Sequence, residues 1–282
     1  MKLSKVKKLS AEKRLLYWIS ERESIRVKKE AGKKKPWTND SILQTYKFCN
    51  VRRMDDRVSQ WLLKNWFEKF YGHKNMLTAC TIAREINNTD SLEEIGFPEV
   101  WNPKQVKRIL EVRFERGLKV FSGAYMITGT LGGTKIEQVV DKVVTPIHKK
   151  KPKIDLSSME ASCQALLPFA GFSNFIAGQV IADMRWAVEG SWLDAPTWAP
   201  MGPGSKRGMN RLLGRPKDSP LKHNEFQSEL LNVIDLVESK LPEISERVEA
   251  IDVQNCLCEF DKYSRTLFGE GRPRSKYQGI PE

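Results

Sequence analysis

Long apolar runs are missing from this chain of 282 residues. No stretch approaches the ~20 consecutive apolar residues of a membrane span, so a membrane helix is not expected. The N-terminus, MKLSKVKKLSAEKR, is basic but has no following apolar core and no small-residue cleavage site. That excludes a secretory signal and makes an intracellular protein the default. Histidine is scarce, with three residues far apart (His73, His148, His223). The five cysteines, Cys49, Cys80, Cys163, Cys256 and Cys258, are odd in number and fall in no metal-type spacing. No metal site is therefore expected, and reduced, mostly buried thiols are. No G-x-x-x-x-G-K-[S/T] loop occurs, so a kinase activity has no support in this sequence. Internal repeats and low-complexity tracts are also lacking.

Positive charge, by contrast, is abundant. The 47 basic side chains outnumber the 35 acidic ones, for a net charge of +12. The excess is clustered: Lys28, Lys29, Lys33, Lys34 and Lys35; Lys149, Lys150, Lys151 and Lys153; Lys206, Arg207, Arg211, Arg215 and Lys217; and Arg272, Arg274 and Lys276. Such clusters beside Gly or Pro point to a distributed phosphate footprint and a polyanionic partner.

Helical periodicity dominates the rest. A pattern over 11–31 ends at Gly32, and Val58, Trp61, Leu62, Trp66 and Phe70 share one face of the next. Further helices are predicted over 75–87, from Ser91–Glu94, from Asn102–Pro103 to about Arg116, and from Thr134–Glu137 to about Ile147. Others follow from Ser157–Glu160, over 172–186, from Ser219–Pro220 to about Lys240, and over 245–266. FSGAYMITGTLGG (121–133) reads as a strand pair or a pocket-lining loop. The expectation is a mostly α fold with two helical lobes around a cleft. Residues 1–40 form a basic helix and loop, and 41–282 the main helical domain, with lobes of roughly 41–150 and 151–282. The N- and C-terminal helices are free to pack across both.

The chemistry concentrates in the stretch LLPFAGFSNFIAGQVIADMRW (166–186) and the WLDAPTWAPMGPGSKRGMNRLLG that follows it. The first is a helix, a Leu-Pro-x-x-Gly turn and a second helix. Gly171 and Ser173 at that turn would offer amides to a phosphate. Gln179 and Asp183 fall on the core-facing stripe, where a carboxylate is either a buried ion pair with an arginine or a desolvated base. Asp194 is a turn residue or a catalytic acid, and Trp192 and Trp198 are core anchors or stacking plates for an extruded base. Gly204, Ser205, Lys206, Arg207 and Arg211 read as a glycine loop gripping phosphate before a short basic helix. A second dense stretch, Asn50, Arg52, Arg53, Asp55, Asp56 and Arg57, is either a salt-bridge cluster at a helix start or a polar pocket wall.

The motif LLPFAGFSNFIAGQVIAD resembles the helix-hairpin-helix of DNA base-excision glycosylases, although the histidine that follows their catalytic aspartate is absent here. PWTNDSILQTYKFCNVRRMDDRVSQWL, WAPMGPGSKRGMNRLLG and NCLCEFDKYSRTLFGEGRPRSKY together resemble the glycosylase-like family of phage thymine hypermodification proteins. That family includes alpha-glutamyl/putrescinyl-thymine pyrophosphorylases (amino acid:DNA transferases) and the helical domain of 5-hydroxymethyluracil DNA kinases. The resemblance implies an enzyme that flips a pyrophosphorylated hydroxymethyluracil in double-stranded DNA, displaces pyrophosphate and attaches an amine from an amino acid or putrescine. It implies the cytoplasm of an infected host, no further cofactor, and a 5-hmdU DNA kinase in the same pathway. On that reading Asp183 or Asp194 is the base, and Asn50, Arg52, Asp55, Asp56, Arg57, Gln179, Trp198, Glu259, Lys262 and Tyr263 line the base and amine pocket. Gly171, Ser173, Gly204, Ser205, Lys206, Arg207, Arg211, Arg272 and Arg274 meet phosphate. The alternatives are an enzyme excising a modified base and a non-catalytic DNA-binding module beside a kinase.

Overall fold

A computed structural model of the chain describes residues 1–123, 131–246, 248–273 and 275–277. The strand-pair or loop reading of 121–133 therefore lies largely outside the described residues, as does Arg274. The first helices are α1 (Leu3–Lys7), α2 (Ala11–Glu30), α3 (Ser41–Thr45), α4 (Arg57–Leu62) and α5 (Met76–Ile86). Then come α6 (Thr89–Ile95), α7 (Pro103–Glu115), α8 (Lys135–Glu137), α9 (Thr145–Lys150), α10 (Met159–Leu166) and α11 (Asn174–Ala187). The last are α12 (Pro203–Leu212), α13 (His223–Lys240), α14 (Pro242–Ser245) and α15 (Ala250–Phe268). Among the described residues the only β pairing is an isolated antiparallel bridge between Tyr46 and Lys276.

The chain divides into two compact units. One joins Met1–Asp56 to Pro196–Glu282, and the other is the continuous segment Arg57–Ala195. The boundaries near 40 and 150 expected from composition are not where the contacts thin out, because the N-terminal helices pack on C-terminal ones.

In the discontinuous unit, α2 buries Leu15, Trp18, Ile19, Arg22 and Ile25, residues spaced three and four apart. This stripe meets α15, whose Leu257, Phe260 and Tyr263 are fully buried. Asp40 sits beneath them. One oxygen caps α3 by accepting from the Ile42 and Leu43 amides, and the other accepts from Tyr17 (3.0 Å) and Tyr263 (2.5 Å). Tyr263 is therefore a structural tie between α3 and α15 and not part of a pocket surface. Trp198 is also core, buried with its ring edge-on to His223. No base can stack on it in this conformation.

The closest helix crossing in this unit is α12 on α15. GPGSKRG, expected as a loop, starts a helix instead: Pro203 takes the first position, and the Gly202 amide donates to Ser205 Oγ (2.9 Å). A Cβ on Gly204 would fall 2.2 Å from Cys258 Sγ, and one on Gly208 would fall 2.0 Å from the Leu257 carbonyl oxygen. These glycines are spent on close helix packing, which a local reading of Gly/Pro content cannot distinguish from a phosphate cradle. Ser205, fully buried and bonded back to the Gly202 amide and carbonyl, is likewise turned to the helix start.

In the continuous unit, α5 and α11 form the centre, with Ala79, Ile82, Ala83, Val180 and Ile181 fully buried. Two of the predicted helices contain π-helical turns, at Leu63–Phe67, which packs on α11, and at Gln138–Val144, which packs on α5. The Thr134–Glu137 capping box is present with both reciprocal bonds. Two other caps are shifted. Asn88 starts α6 in place of Ser91, and Ser158 starts α10 because Ser157 donates both its amide and its hydroxyl to Asp155. The α10–turn–α11 hairpin has Ser173 as the cap of α11. Gly171 adopts φ +85°, and a Cβ there would fall 2.5 Å from Val143 Cγ2.

Candidate functional site

The polar residues of α15 gather the loop 48–56 around them. The Glu259 carboxylate accepts from the Cys49 amide (3.2 Å) and from Lys262 Nζ (2.9 Å). The Lys262 ammonium also lies 4.6 Å from the centre of the Phe48 ring, a cation–π contact. Asn255 donates to the Asn50 carbonyl (3.3 Å), and the Arg53 amide donates to Asp252 (2.7 Å). From the other side Arg22 donates to the Cys49 carbonyl (3.0 Å) and to Asn50 Oδ1 (2.5 Å). Asn50 in turn donates its amide to Asp56 Oδ1 (2.8 Å) and its side-chain N–H to the Asp55 carbonyl (2.5 Å). The Asn50 side chain is thereby engaged on both ends, so it positions Asp56 and is not free to read a base edge. Arg52 and Arg26 flank Asp55 at 3.7 and 3.4 Å.

Burial pushes two carboxyls of this group up to about 6: Asp252, which is buried on the Arg53 amide, and the more accessible Asp56. Its side chain is half-buried, and desolvation pushes its pKa up to about 6 against the opposing pull of the Asn50 amide and Arg22, with the Glu259 charge adding to the rise. A carboxyl of that pKa is a usable proton acceptor near neutral pH. Lys262 behaves oppositely. Burial lowers its pKa, but Glu259 and the neighbouring thiols outweigh burial and the net direction is upward, so the ammonium is fixed. Burial raises the Cys258 thiol to about 12 and Cys49 well above its ordinary value. Neither is a thiolate at neutral pH, which argues against cysteine nucleophilic chemistry.

A cationic group lies on the neighbouring side of α15. The buried Asp261 carboxylate accepts from Arg207 Nε (3.0 Å) and Arg211 Nε (2.8 Å), with Arg265 Nε at 3.3 Å. Arg211 also pairs with Glu270. Three guanidiniums thus face two carboxylates, and one shared carboxylate holds the forks of Arg207 and Arg265 in place. Cys258 lies between the two groups and feels Glu259, Lys262, Asp261 and Arg207 together. Lys206 is half-exposed on α12, and Arg272 is exposed in the tail.

The remaining sequence-predicted residues lie in the continuous unit. Asp183 has no exposed surface and forms a two-pronged ion pair with Arg84, whose Nη2 donates to Oδ1 at 2.6 Å and also to Ser59 Oγ at 3.1 Å. This is the buried ion pair with an arginine, and a carboxylate so enclosed cannot take a proton from a bound amine while the pair is closed. Asp194 reaches the start of α10, accepting from the Met159 amide (2.7 Å), the Glu160 amide (3.0 Å) and the Ser158 hydroxyl (2.8 Å). Its charge stabilises a helix N-terminus. Gln179 is buried within α11, and Arg57 is exposed at the start of α4.

Arg22, Asp261 and Arg265 were not singled out from sequence. A signal was present for the first two. Arg22 lies four residues after Trp18 and three before Ile25, and Asp261 lies four after Leu257, so each is a charge on an apolar stripe. Among the described residues, no group of three or more His, Cys, Asp or Glu side chains is arranged to hold a metal ion.

The architecture defines an all-helical protein whose carboxylate, ammonium and guanidinium groups converge on one C-terminal helix. Over residues 10–272 the chain matches the family described as 5-hmdU DNA kinase, helical domain, and it belongs to that family. The 5-hmdU DNA kinase of Bacillus phage SP10 is 28% identical over 223 residues, which is 69% of this chain and 35% of the relative. The chain thus spans about a third of the length of that curated relative. No solved structure matches. Among the described residues no helix is long and apolar enough to cross a membrane.

Proposed function

We propose that this protein is a transferase of DNA thymine hypermodification that replaces the pyrophosphate of 5-(pyrophosphoryloxymethyl)uracil by an amine. The observation that carries the proposal is the cluster on α15: a near-neutral carboxyl (Asp56), a fixed Glu259–Lys262 pair and an arginine group around Asp261, in a family described by its hydroxymethyluracil DNA kinases. In the reaction Asp56 first takes a proton from the incoming ammonium, and the freed nitrogen lone pair bonds to the exocyclic carbon as the carbon–oxygen bond breaks. The electron pair leaves with pyrophosphate, and the product nitrogen stays protonated as a secondary ammonium. Arg207, Arg211 and Arg265 supply donors for the charge that develops on the leaving group. Glu259, held in place by Lys262 and the Cys49 amide, attracts the incoming ammonium. An amino acid or putrescine is the expected co-substrate, and double-stranded DNA the carrier of the base.

Purified protein incubated with duplex DNA bearing the pyrophosphorylated base and candidate amines should give a new nucleoside by mass spectrometry. Asp56→Asn should abolish it, and the wild-type rate should fall below about pH 6, where Asp56 becomes protonated. Unchanged nucleosides with every amine would refute the proposal, and abasic sites would show base excision instead. A second reading is favoured by the family match, which is to the helical domain of the kinases: a non-catalytic helical module acting beside a 5-hmdU DNA kinase. On that reading Asp56→Asn leaves the biological modification intact.

A further inference from the structure

A cavity of about 270 Å³ in the discontinuous unit lies apart from the α15 cluster. Ile25, Lys35, Trp37, Leu43 and Tyr277 contribute to its walls. Two aromatic rings share one ammonium there: Lys35 Nζ lies 5.3 Å from the centre of the Trp37 ring and 5.1 Å from that of Tyr277. Both rings stand on tied backbone. Trp37 donates its indole N–H to the Lys33 carbonyl (2.6 Å), and its own carbonyl accepts from Lys28 (2.8 Å). The Tyr277 amide donates to the Thr45 carbonyl (3.0 Å), next to the Tyr46–Lys276 bridge. Lys35 lines the cavity, and Lys33 and Lys34, beside it in the chain, are exposed as well.

We infer that this cavity is a stacking subsite for an unpaired nucleobase of single-stranded DNA. It rests on the DNA part of the reading above but not on the transfer chemistry. An exposed lysine covering an aromatic face gains little, because its ammonium remains well hydrated. A nucleobase removes the ring face from water and stacks over a larger area, so it displaces Lys35. The freed ammonium, with Lys33 and Lys34, then meets the flanking phosphates and releases counterions. Stacking accepts any base, the walls beside the rings are mostly apolar, and their polar side chains are engaged within the protein (Thr38 with Glu21, Gln44 with the Thr38 carbonyl), so a preference for unpaired strands over duplex follows without sequence preference. An extended strand beside a base that has been drawn out of a duplex is the natural source.

Fluorescence anisotropy with a labelled single-stranded oligothymidylate and the full chain tests this. Trp37→Ala and Tyr277→Ala should each weaken binding about tenfold or more, the loss expected for one stacked base. Trp37→Phe should retain most of the affinity, and circular dichroism melting of each variant confirms its fold. The salt dependence should be unchanged in Trp37→Ala and shallower in Lys33→Ala/Lys34→Ala, which separates stacking from phosphate contacts. Wild-type affinity in both aromatic variants would overturn the inference, as would a Phe variant no better than Ala. So would a response of putrescine binding, and not DNA binding, to these substitutions, since the rings would then form an ammonium cage. If the wild type binds no DNA of any kind, the wider DNA reading fails instead.

Discussion

Replacing Gly208 by alanine should force α12 away from α15, and the damage should not be curable from a side chain. The new Cβ would lie 2.0 Å from the Leu257 carbonyl oxygen and 2.7 Å from its carbon, where contacts below 3.0 Å require something to move. The obstacle is helical backbone, so α12 must retreat by about 1 Å at this point. Overpacking of this kind costs about 1–3 kcal/mol, and a backbone obstacle belongs at the upper end. The better helix propensity of alanine returns about 1 kcal/mol. The net loss is about 2 kcal/mol, roughly 6–8 °C in melting temperature for a unit of this size. Gly204→Ala differs in kind. Its Cβ would meet Cys258 Sγ at 2.2 Å, but the next atom, Cys258 Cβ, is at 3.2 Å. Adding Cys258→Ala should therefore recover most of the stability lost in Gly204→Ala and none of that lost in Gly208→Ala. Urea unfolding of the single and double variants, followed by circular dichroism, gives the two coupling energies. Equal rescue of both glycine variants, or a Gly208→Ala protein as stable as wild type, would refute the idea that the glycines serve the helix crossing.

Two further predictions concern the continuous unit. Asp183→Asn should cost about 3–5 kcal/mol by leaving the Arg84 guanidinium buried without its counter-charge, and Arg84→Met/Asp183→Leu should cost less than Asp183→Asn; thermal melts compare them. Glu85 is buried, neither of its oxygens is hydrogen-bonded among the described residues, and desolvation raises its pKa from 4.5 to about 7. The native state therefore keeps a proton that the unfolded chain releases, so stability falls as pH rises from about 4.5 to 7 and is level beyond, a loss of about 3 kcal/mol from this group. Glu85→Gln should remove that slope in urea midpoints measured at pH 5 and pH 8; an identical slope in the variant would refute it.

Local readings held where the cap and its partner were unambiguous, and slipped where a neighbour competed, as at Ser91 and Ser157. The Asn102–Pro103 start and the Thr134–Glu137 box are set by residues within one helical turn, and both stand in the structure. The placing of Asp183 on a core-facing stripe followed from 3.6-residue periodicity, but its partner is Arg84, 99 residues earlier, which no spacing reveals. The glycines of GPGSKRG were misread because a glycine that admits a neighbouring helix and one that admits a phosphate look alike until the neighbour is known. Asp56 and Glu259 were both named as site residues, yet what makes Asp56 basic is its burial and the charge of Glu259, which the chain supplies only in its last long helix, while Arg22 and the Asn50 amide pull the other way.

The bond from Tyr263 to Asp40 spans 223 positions of the chain. During synthesis at about 5–20 residues per second, Asp40 emerges from the ribosome roughly 10–45 s before its partner exists. The segment Arg57–Ala195 is one continuous compact unit and has no such wait. The first fifty-odd residues must therefore linger with Trp18 and Ile19 uncovered until α15 arrives, and their unusual density of lysine keeps that exposed stretch apart from its own copies on neighbouring ribosomes.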